Sequence, residues 1–416
     1  MLRIILSCFV IAAYLVLSVF VIDITSVTAA ILTVDTLDDE QTINGKCSLR
    51  EAVTNVNGGD QSGSTDCIAG DPSAADTITF SVTGTIVLVG LLPNIAQDLT
   101  VDGPGTDSLT ISGNNSVRVI RISSGVTATL QDLTISAGMV SGTGGGGVYN
   151  QGDLTISNCV ISNNQDSGGS GGGIFNDGGG VLTIGDSLIS GNSSTYGGGI
   201  YNIGTVIIER STMSGNTATD WGGAFFNHSS ASFTNVTISG NQASWAAVLT
   251  QPGTTNSFTN CTIADNQSTG STAGIAGNGF SNHNIRNTIL SNNINTNYGS
   301  DNCYQVQNSL GYNISSDGTC YSFNQTGDMQ NTDPLLGPLQ DNGGPTFTHA
   351  LLEGSPAVDA GDPANCPATD QRGIARPADG DKNGDAVCDI GSFEMEKSSS
   401  FPWTMFLPAI TNNTQQ

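Results

Sequence analysis

Ser187-Leu-Ile-Ser-Gly-Asn192, Ser211-Thr-Met-Ser-Gly-Asn216 and Val236-Thr-Ile-Ser-Gly-Asn241 are one phrase repeated, and Cys159-Val-Ile-Ser-Asn-Asn164, Cys261-Thr-Ile-Ala-Asp-Asn266 and Asn287-Thr-Ile-Leu-Ser-Asn292 align with it. The closing asparagines lie 28, 24, 25, 25 and 26 positions apart. A second, offset series (GGVYN, GGIFN, GGIYN, GAFFN) closes at Asn150, Asn176, Asn202 and Asn227 with the same period. A helical solenoid of this period would space its apolar residues by 3.6 and contain few glycines. These units instead alternate apolar and polar residues over short β-rich runs bounded by Gly and Asn. A repeat too short to hold a crossover helix, with a strong preference for right-handed connections, predicts a right-handed parallel β-helix.

The two-residue side-chain period assigns the rows. Ile161, Ile189, Met213, Ile238, Ile263 and Ile289 point inward, which leaves Val160, Leu188, Thr212, Thr237, Thr262 and Thr288 as a largely threonine outer row facing water. Ile156, Ile184, Ile208, Phe233 and Phe258 form a second inward ladder. A single coil cannot cover its own apolar face, so stacking supplies the core. The asparagine rows are expected to close turns by bonding neighbouring backbone.

The chain begins with Arg3, an apolar run from Ile4 to Ile22 and small residues ending at Ala30, which predicts a secretory signal peptide over residues 1–30. No transmembrane span is expected once it is removed, and the protein is expected to be secreted or held at the cell surface. Cys8 leaves with the signal, and the other eight cysteines meet an oxidising exterior. With 54 glycines and 11% charged residues, the chain folds only if the Gly-rich segments are turns. The net charge of −25 excludes nucleic acid as a partner, because phosphate binding requires a Lys/Arg surface.

Several segments carry a resemblance. The repeats resemble right-handed parallel β-helix repeat proteins, and Gly222-Gly-Ala224 is similar to the repeats of polymorphic outer-membrane proteins. Cys47-Ser-Leu-Arg-Glu-Ala52 resembles the motif that names CSLREA-domain surface proteins. Asp333-Pro-Leu-Leu-Gly337, Asp341-Asn-Gly-Gly-Pro345, Gly354-Ser-Pro-Ala357, Asp370-Gln-Arg-Gly373 and Cys388-Asp-Ile-Gly391 to Glu394 resemble the choice-of-anchor module. The resemblance implies an exported, surface-associated solenoid and supplies no reaction. The expected fold is all-β: an N-terminal cap (31–98), a parallel β-helix (99–332), a small C-terminal module (333–394) that caps or follows the end of the stack, and a tail (395–416). Its Phe401–Ile410 run is too short to cross a bilayer.

Candidate chemistry is sparse. Gly185-Asp-Ser-Leu188 spells a hydrolase motif, but the register turns Ser187 inward with no histidine beside it to activate it. Asp186 and Arg210 share an outward row in adjacent coils. They are the least improbable catalytic residues of a polysaccharide lyase or glycoside hydrolase, and a cross-coil ion pair accounts for them equally well. Asn158, Asn235, Asn260 and Arg286 occupy the other positions of that row, so no acidic cluster surrounds them. Tyr149, Phe175, Tyr201 and Phe226 fall at one position of four consecutive coils, as an aromatic ladder that either stacks on sugars or steadies the coils. Asp379-x-Asp381-x-Asn383-Gly-Asp385 matches the start of a calcium loop, with Ile390 where the bidentate glutamate would stand.

Cys159 and Cys261 share an inward row four coils apart, roughly 19 Å at about 4.8 Å per coil, too far for a disulfide. They are expected as buried free thiols. The other six then pair locally, Cys47 with Cys67, Cys303 with Cys320 and Cys366 with Cys388. The reading favoured is a non-catalytic surface solenoid for architecture, adhesion or contact with glycans or other envelope components. The alternatives are a polysaccharide lyase or glycosidase and a pure carbohydrate-binding module. A carboxylate cluster beside a basic residue in a groove would favour the enzyme, and an aromatic face without one would favour binding.

Overall fold

The computed structural model describes residues 29–396 apart from 280 and 307. The expected signal peptide up to residue 28, and the tail from 397, lie outside the described residues. Each regular coil contributes four short strands. Val148–Asn150 is followed by Asp153–Ser157, Val160–Ser162 and Gln165–Ser170, after which Ile174–Asn176 pairs in parallel with the first. Stacking these strands makes four sheets. Sheet I has 11 strands from Ile31–Val34 to Asn308–Ser309, and sheet II has 11 from Gly84–Val87 to Met329–Gln330. Sheet III has 8 from Ile120–Ile122 to Cys303–Tyr304, and sheet IV has 8 from Met139–Ser141 to Gly299–Ser300.

The corners explain the repeat phrase. Between sheets I and II the chain turns through Asp132, Asn158, Asp186, Arg210, Asn235, Asn260 and Asn287, all at positive φ. Between sheets II and IV it turns through Asn163, Gly191, Gly215, Gly240, Asp265 and Asn292. Gly, Asn and Asp adopt this backbone most readily, and it is what each S-G-N triplet supplies. At the corner into sheet III, Gly197 has φ 62° and an added Cβ would lie 2.4 Å from the Ile200 carbonyl oxygen, so glycine is required there twice over.

The inward ladders are fully buried, with Phe233 and Phe258 stacked at 4.6 Å. The closing asparagines stand inside the core. Asn164, Asn192, Asn216, Asn241, Asn266 and Asn293 are buried, and each Oδ1 from Asn192 onward accepts from the backbone N–H and the amide of the asparagine one coil earlier. They do bond neighbouring backbone, but as a continuous internal ladder. Asn150, Asn176, Asn202, Asn227 and Asn256 form a second one.

Three expectations are corrected. First, the last coil is shifted by one residue: Thr262 pairs with Ile289 and Ile263 with Leu290. Leu290 is therefore the inward residue, Thr288 joins the Cys261 row, and Asn287 rather than Arg286 occupies the corner. The doublet Asn292-Asn293 had hidden the extra residue. Second, the outer row is not solvated throughout. Val160 and Leu188 are half-buried, whereas Thr212, Thr237, Thr262 and Ile289 are buried. Third, the C-terminal module covers that row, lying along the flank of sheet II instead of at the end of the stack. Gln371 is the main contact: its Nε2 donates to Thr212 Oγ1 at 2.9 Å, and its Oε1 accepts from Thr237 Oγ1 at 2.6 Å. Ser392 N donates to Thr262 Oγ1 at 3.1 Å, and Asn235 and Asn260 donate to the Thr369 and Asp389 carbonyls. A threonine row looks solvated in sequence, but its hydroxyls are equally able to meet a polar partner.

The segment before residue 99 already belongs to the stack. Strand β1 (Ile31–Val34) pairs with β2 (Asp76–Phe80), and helix α1 (Leu49–Gly58) is inserted between them, burying Leu49, Ala52, Val53 and Val56. Every residue of the CSLREA-like motif has a structural task. Cys47 bonds Cys67. Ser48 and Glu51 form a capping box at the start of α1, and Leu49 and Ala52 enter the core. Arg50 clasps Asp39 with two hydrogen bonds, at 2.8 and 2.7 Å, and donates to the Gly90 and Leu91 carbonyls. The far end is closed by the segment whose Cys320, bonded to Cys303, and Phe323 join the solenoid core.

Candidate glycan-contact face

The outward row of sheet III runs Arg121, Tyr149, Phe175, Tyr201, Phe226, Leu249, Ala276, Tyr304. The residue after each strand's inward asparagine or its equivalent turns back to the surface, so Gln151, Asp177, Ile203, His228, Gln251 and Asn278 line one edge of the face. At the opposite edge the strands of sheet IV bulge, with a register shift between Ser194 and Tyr196, and set Tyr196, Trp221 and Trp245 in a line.

The expected aromatic ladder is therefore present but not open along its length. Tyr149, Phe175 and Tyr201 stack on one another at 5.0 and 5.2 Å, nearly parallel, so their inner faces cover each other. Arg118 and Arg121 lie over the Tyr149 ring at 5.0 and 4.9 Å. Phe226 is only 1% exposed, packed edge-on against Tyr201 and Trp221. Like those of Tyr149, Phe175 and Tyr201, the rings of Trp221 and Trp245 are half-buried; they lie 84° apart in plane, and Tyr304, 44% exposed, is 6.3 Å from Trp245. Sequence reasoning passed over them, although Tyr196, Trp221 and Trp245 are spaced by 25 and 24 residues, the repeat itself.

Polar groups bridge the coils along the facing edge. Tyr149 Oη and Gln151 Nε2 both donate to Asp177, Tyr201 Oη and His228 Nε2 share a hydrogen bond at 3.0 Å, and Asn278 donates to Gln251. Burial lowers the His228 pKa, leaving its imidazole neutral at pH 7.

The other candidates are accounted for by local contacts. Arg210 grips Asp186 through Nε at 2.8 Å and Nη2 at 2.6 Å, at the corner between sheets I and II. Ser187 is buried; its Oγ donates to the Gly185 carbonyl and accepts from Cys159 N–H. The carboxylates of Asp359, Asp379 and Asp381 lie within 4.8 Å of one another, so the acidic group of the calcium-loop-like segment takes its third member from Asp359 and not from Asp385. Asn383 Oδ1 accepts from Asp385 N–H, and Asp381 Oδ1 from Asn383 N–H, which ties the loop to itself.

Cys47–Cys67, Cys303–Cys320 and Cys366–Cys388 are bonded, and Cys159 and Cys261 are free and buried. Burial pushes both thiols up to about 12. They are expected to resist iodoacetamide at pH 8 in the native protein and to react fully after denaturation. Mass spectrometry of the unreduced protein checks this, and a peptide joining the two would contradict the register.

Among the described residues, no helix is long and apolar enough to cross a membrane. A family model for the right-handed β-helix region matches residues 147–319. No curated protein matches the chain. Among solved structures, the crystal structure of pectate lyase Pel9A is similar, with a TM-score of 0.50 and 13% sequence identity over 89% of this chain and 97% of that one. At that identity the likeness is one of fold, and with the four sheets, parallel except for the terminal strand pair of sheet IV, it makes this chain an all-β, right-handed parallel β-helix.

Proposed function

We propose that the protein is a secreted or surface-held, non-catalytic β-helix whose sheet III face contacts extracellular glycan. The observation that carries this reading is the set of rings on one outward side, Tyr149, Phe175, Tyr201 and Tyr304 from sheet III with Trp221 and Trp245 from the adjoining edge of sheet IV, edged by amide, hydroxyl and imidazole groups. Sugars offer apolar ring faces and hydroxyls together, and such a strip suits both. Export is supported by the signal-like N-terminus and three disulfides. The CSLREA-like cap and choice-of-anchor-like module fit a surface protein. A calcium ion at Asp359, Asp379 and Asp381 would be accessory to this role, and a calorimetric titration with calcium chloride alone reads it.

A polysaccharide lyase or glycosidase is the second reading, kept because one solved structure of similar fold is a pectate lyase. Asp186 and Arg210 support it poorly, since each satisfies the other. Incubating the purified protein with a polysaccharide panel separates the two: retention without unsaturated or reducing products is expected, and steady product release would replace the binding reading with the enzymatic one.

A further inference from the structure

We infer that the ligand of the sheet III face is an uncharged polysaccharide, laid along the solenoid axis across Trp221, Trp245 and Tyr304, and that polyanionic glycans are rejected. This rests on the glycan-contact reading and adds the substrate class and the contact point.

The first ground is the disposition of the rings. The Tyr149–Phe175–Tyr201 stack has its inner faces closed and its outer Tyr149 face covered by two arginines. Trp221, Trp245 and Tyr304 have their planes turned 84° and 64° from one ring to the next and keep surface in solvent. They follow the axis, because successive coils supply Trp221 and Trp245 as paired residues.

The second ground is charge. Between residues 122 and 305 the sequence holds two basic residues, Arg210 and Arg286. Both sit at or beside the corner between sheets I and II, paired with Asp186 and Asp362. Arg118, at the N-terminal end of the face, is buried and donates to the Thr143, Gly144 and Gly145 carbonyls, and Arg121 donates to Gln151. No free cation is thus left among the described residues of the strip from Phe175 to Tyr304, while Asp220 is exposed beside Trp221 and the chain carries −25. A carboxylated polymer would meet like charge with no counter-ion to offset its desolvation.

The third ground is the polar edge. Gln251, Asn278 and Gln305 are neutral amides on consecutive coils, all three aligned by hydrogen bonds between coils: Asn278 Nδ2 donates to Gln251 Oε1, and Gln305 Oε1 accepts from Gly279 N–H. Amides both donate and accept, as an array of sugar hydroxyls requires.

The test is affinity electrophoresis of the full mature chain in gels containing galactomannan, mixed-linkage β-glucan, polygalacturonate or alginate. Retardation by a neutral glycan is expected, unchanged between 50 and 500 mM NaCl. Tyr304→Ala, which removes the most exposed of the three rings, should weaken it by about three- to tenfold, the range of one aromatic contact. Trp221→Ala should do at least as much, while Phe175→Ala leaves it within twofold. Far-UV circular dichroism checks that each variant folds, and sedimentation velocity checks that the face does not pair two copies. Retention by polygalacturonate or alginate alone overturns the inference and leaves the glycan-contact reading standing. So does neutral binding lost with Phe175→Ala but kept in Tyr304→Ala. Retention by no glycan, or a dimer dissolved by Tyr304→Ala, overturns both.

Discussion

Arg376→Met is expected to release the C-terminal module from the flank of the solenoid, at a cost of about 3–5 kcal/mol at pH 7. The Arg376 side chain is fully buried; its Nη1 lies 2.9 Å from Glu394 and donates to the Asp389 carbonyl at 2.7 Å, and its Nη2 donates to the Gly391 carbonyl at 2.7 Å. Around it Asp370 and Arg372 form a second pair, with the Arg372 guanidinium 3.6 Å from the Phe393 ring centre. Methionine fills the space but leaves the buried Glu394 carboxylate without its cationic partner and takes a donor from the Asp389 and Gly391 carbonyls. Because Asn260 bonds the Asp389 carbonyl and Gln371 follows Asp370 directly, loss of this centre removes the residues that grip the Thr212–Thr262 row. Limited proteolysis should cut the variant within 333–394 while the repeats stay protected. A variant as resistant as the parent would show that the charge cluster does not hold the module.

The same cluster sets a pH dependence. Burial, and then the nearby Glu394, raise Asp389 to about 8, and burial raises Glu394 as well. A carboxyl raised on folding contributes stability that is complete below its unfolded pKa, near 4, and is lost as pH rises through the folded value. The docked module of the parent protein should therefore be easier to melt or digest at pH 8 than at pH 5, with a slope of at most about 1.4 kcal/mol per pH unit for a single group. In Arg376→Met both carboxyls become harder still to ionise, so the variant should recover most of its resistance at pH 5.

The period, the two apolar ladders up to Ile263 and the separation of Cys159 from Cys261 were legible in the sequence because each depends on register alone, and the three bridges because each closes a short local loop. Ile156, Ile184 and Ile208 recur in step whatever packs outside the coil. The position of the module was not legible, since it depends on pairs far apart in the chain. Thr212 and Gln371 are 159 residues apart, and nothing in a threonine row distinguishes water from a glutamine as its partner. Trp221 and Trp245 escaped notice for a local reason. They stand at a bulged corner, outside the alternation by which inward and outward rows are recognised, so only their spacing marks them as one row.

The asparagine ladder gives the largest effect expected of a single change inside the solenoid. Asn216 Oδ1 accepts from Asn192 N–H and Nδ2 at 3.0 and 2.9 Å, and its own Nδ2 donates to the Ile189 carbonyl and Asn241 Oδ1 at 2.9 and 3.0 Å. All four contacts are buried. Asn216→Asp keeps the shape and the acceptor but replaces the amine with a second oxygen facing two oxygens. The carboxyl must either stay protonated or ionise beside them, so about 3 kcal/mol or more should be lost at pH 7. Protonation restores one donor, so the loss should shrink toward pH 4, which is the sign for a carboxyl raised in the folded state. Asn216→Ala should cost a similar amount without that pH dependence, because it leaves the buried Asn192 N–H without its acceptor and takes the side-chain donor from the Ile189 carbonyl at every pH. Hydrogen exchange distinguishes the two: the Asn192 amide should lose protection in the alanine variant and keep it in the aspartate variant. Since each coil is held only by its neighbours, the damage should spread from residue 216 to the adjoining coils while α1 and its disulfide stay protected. Equal, pH-independent losses in both variants would mean that the amide contributes volume to the core and not hydrogen bonds.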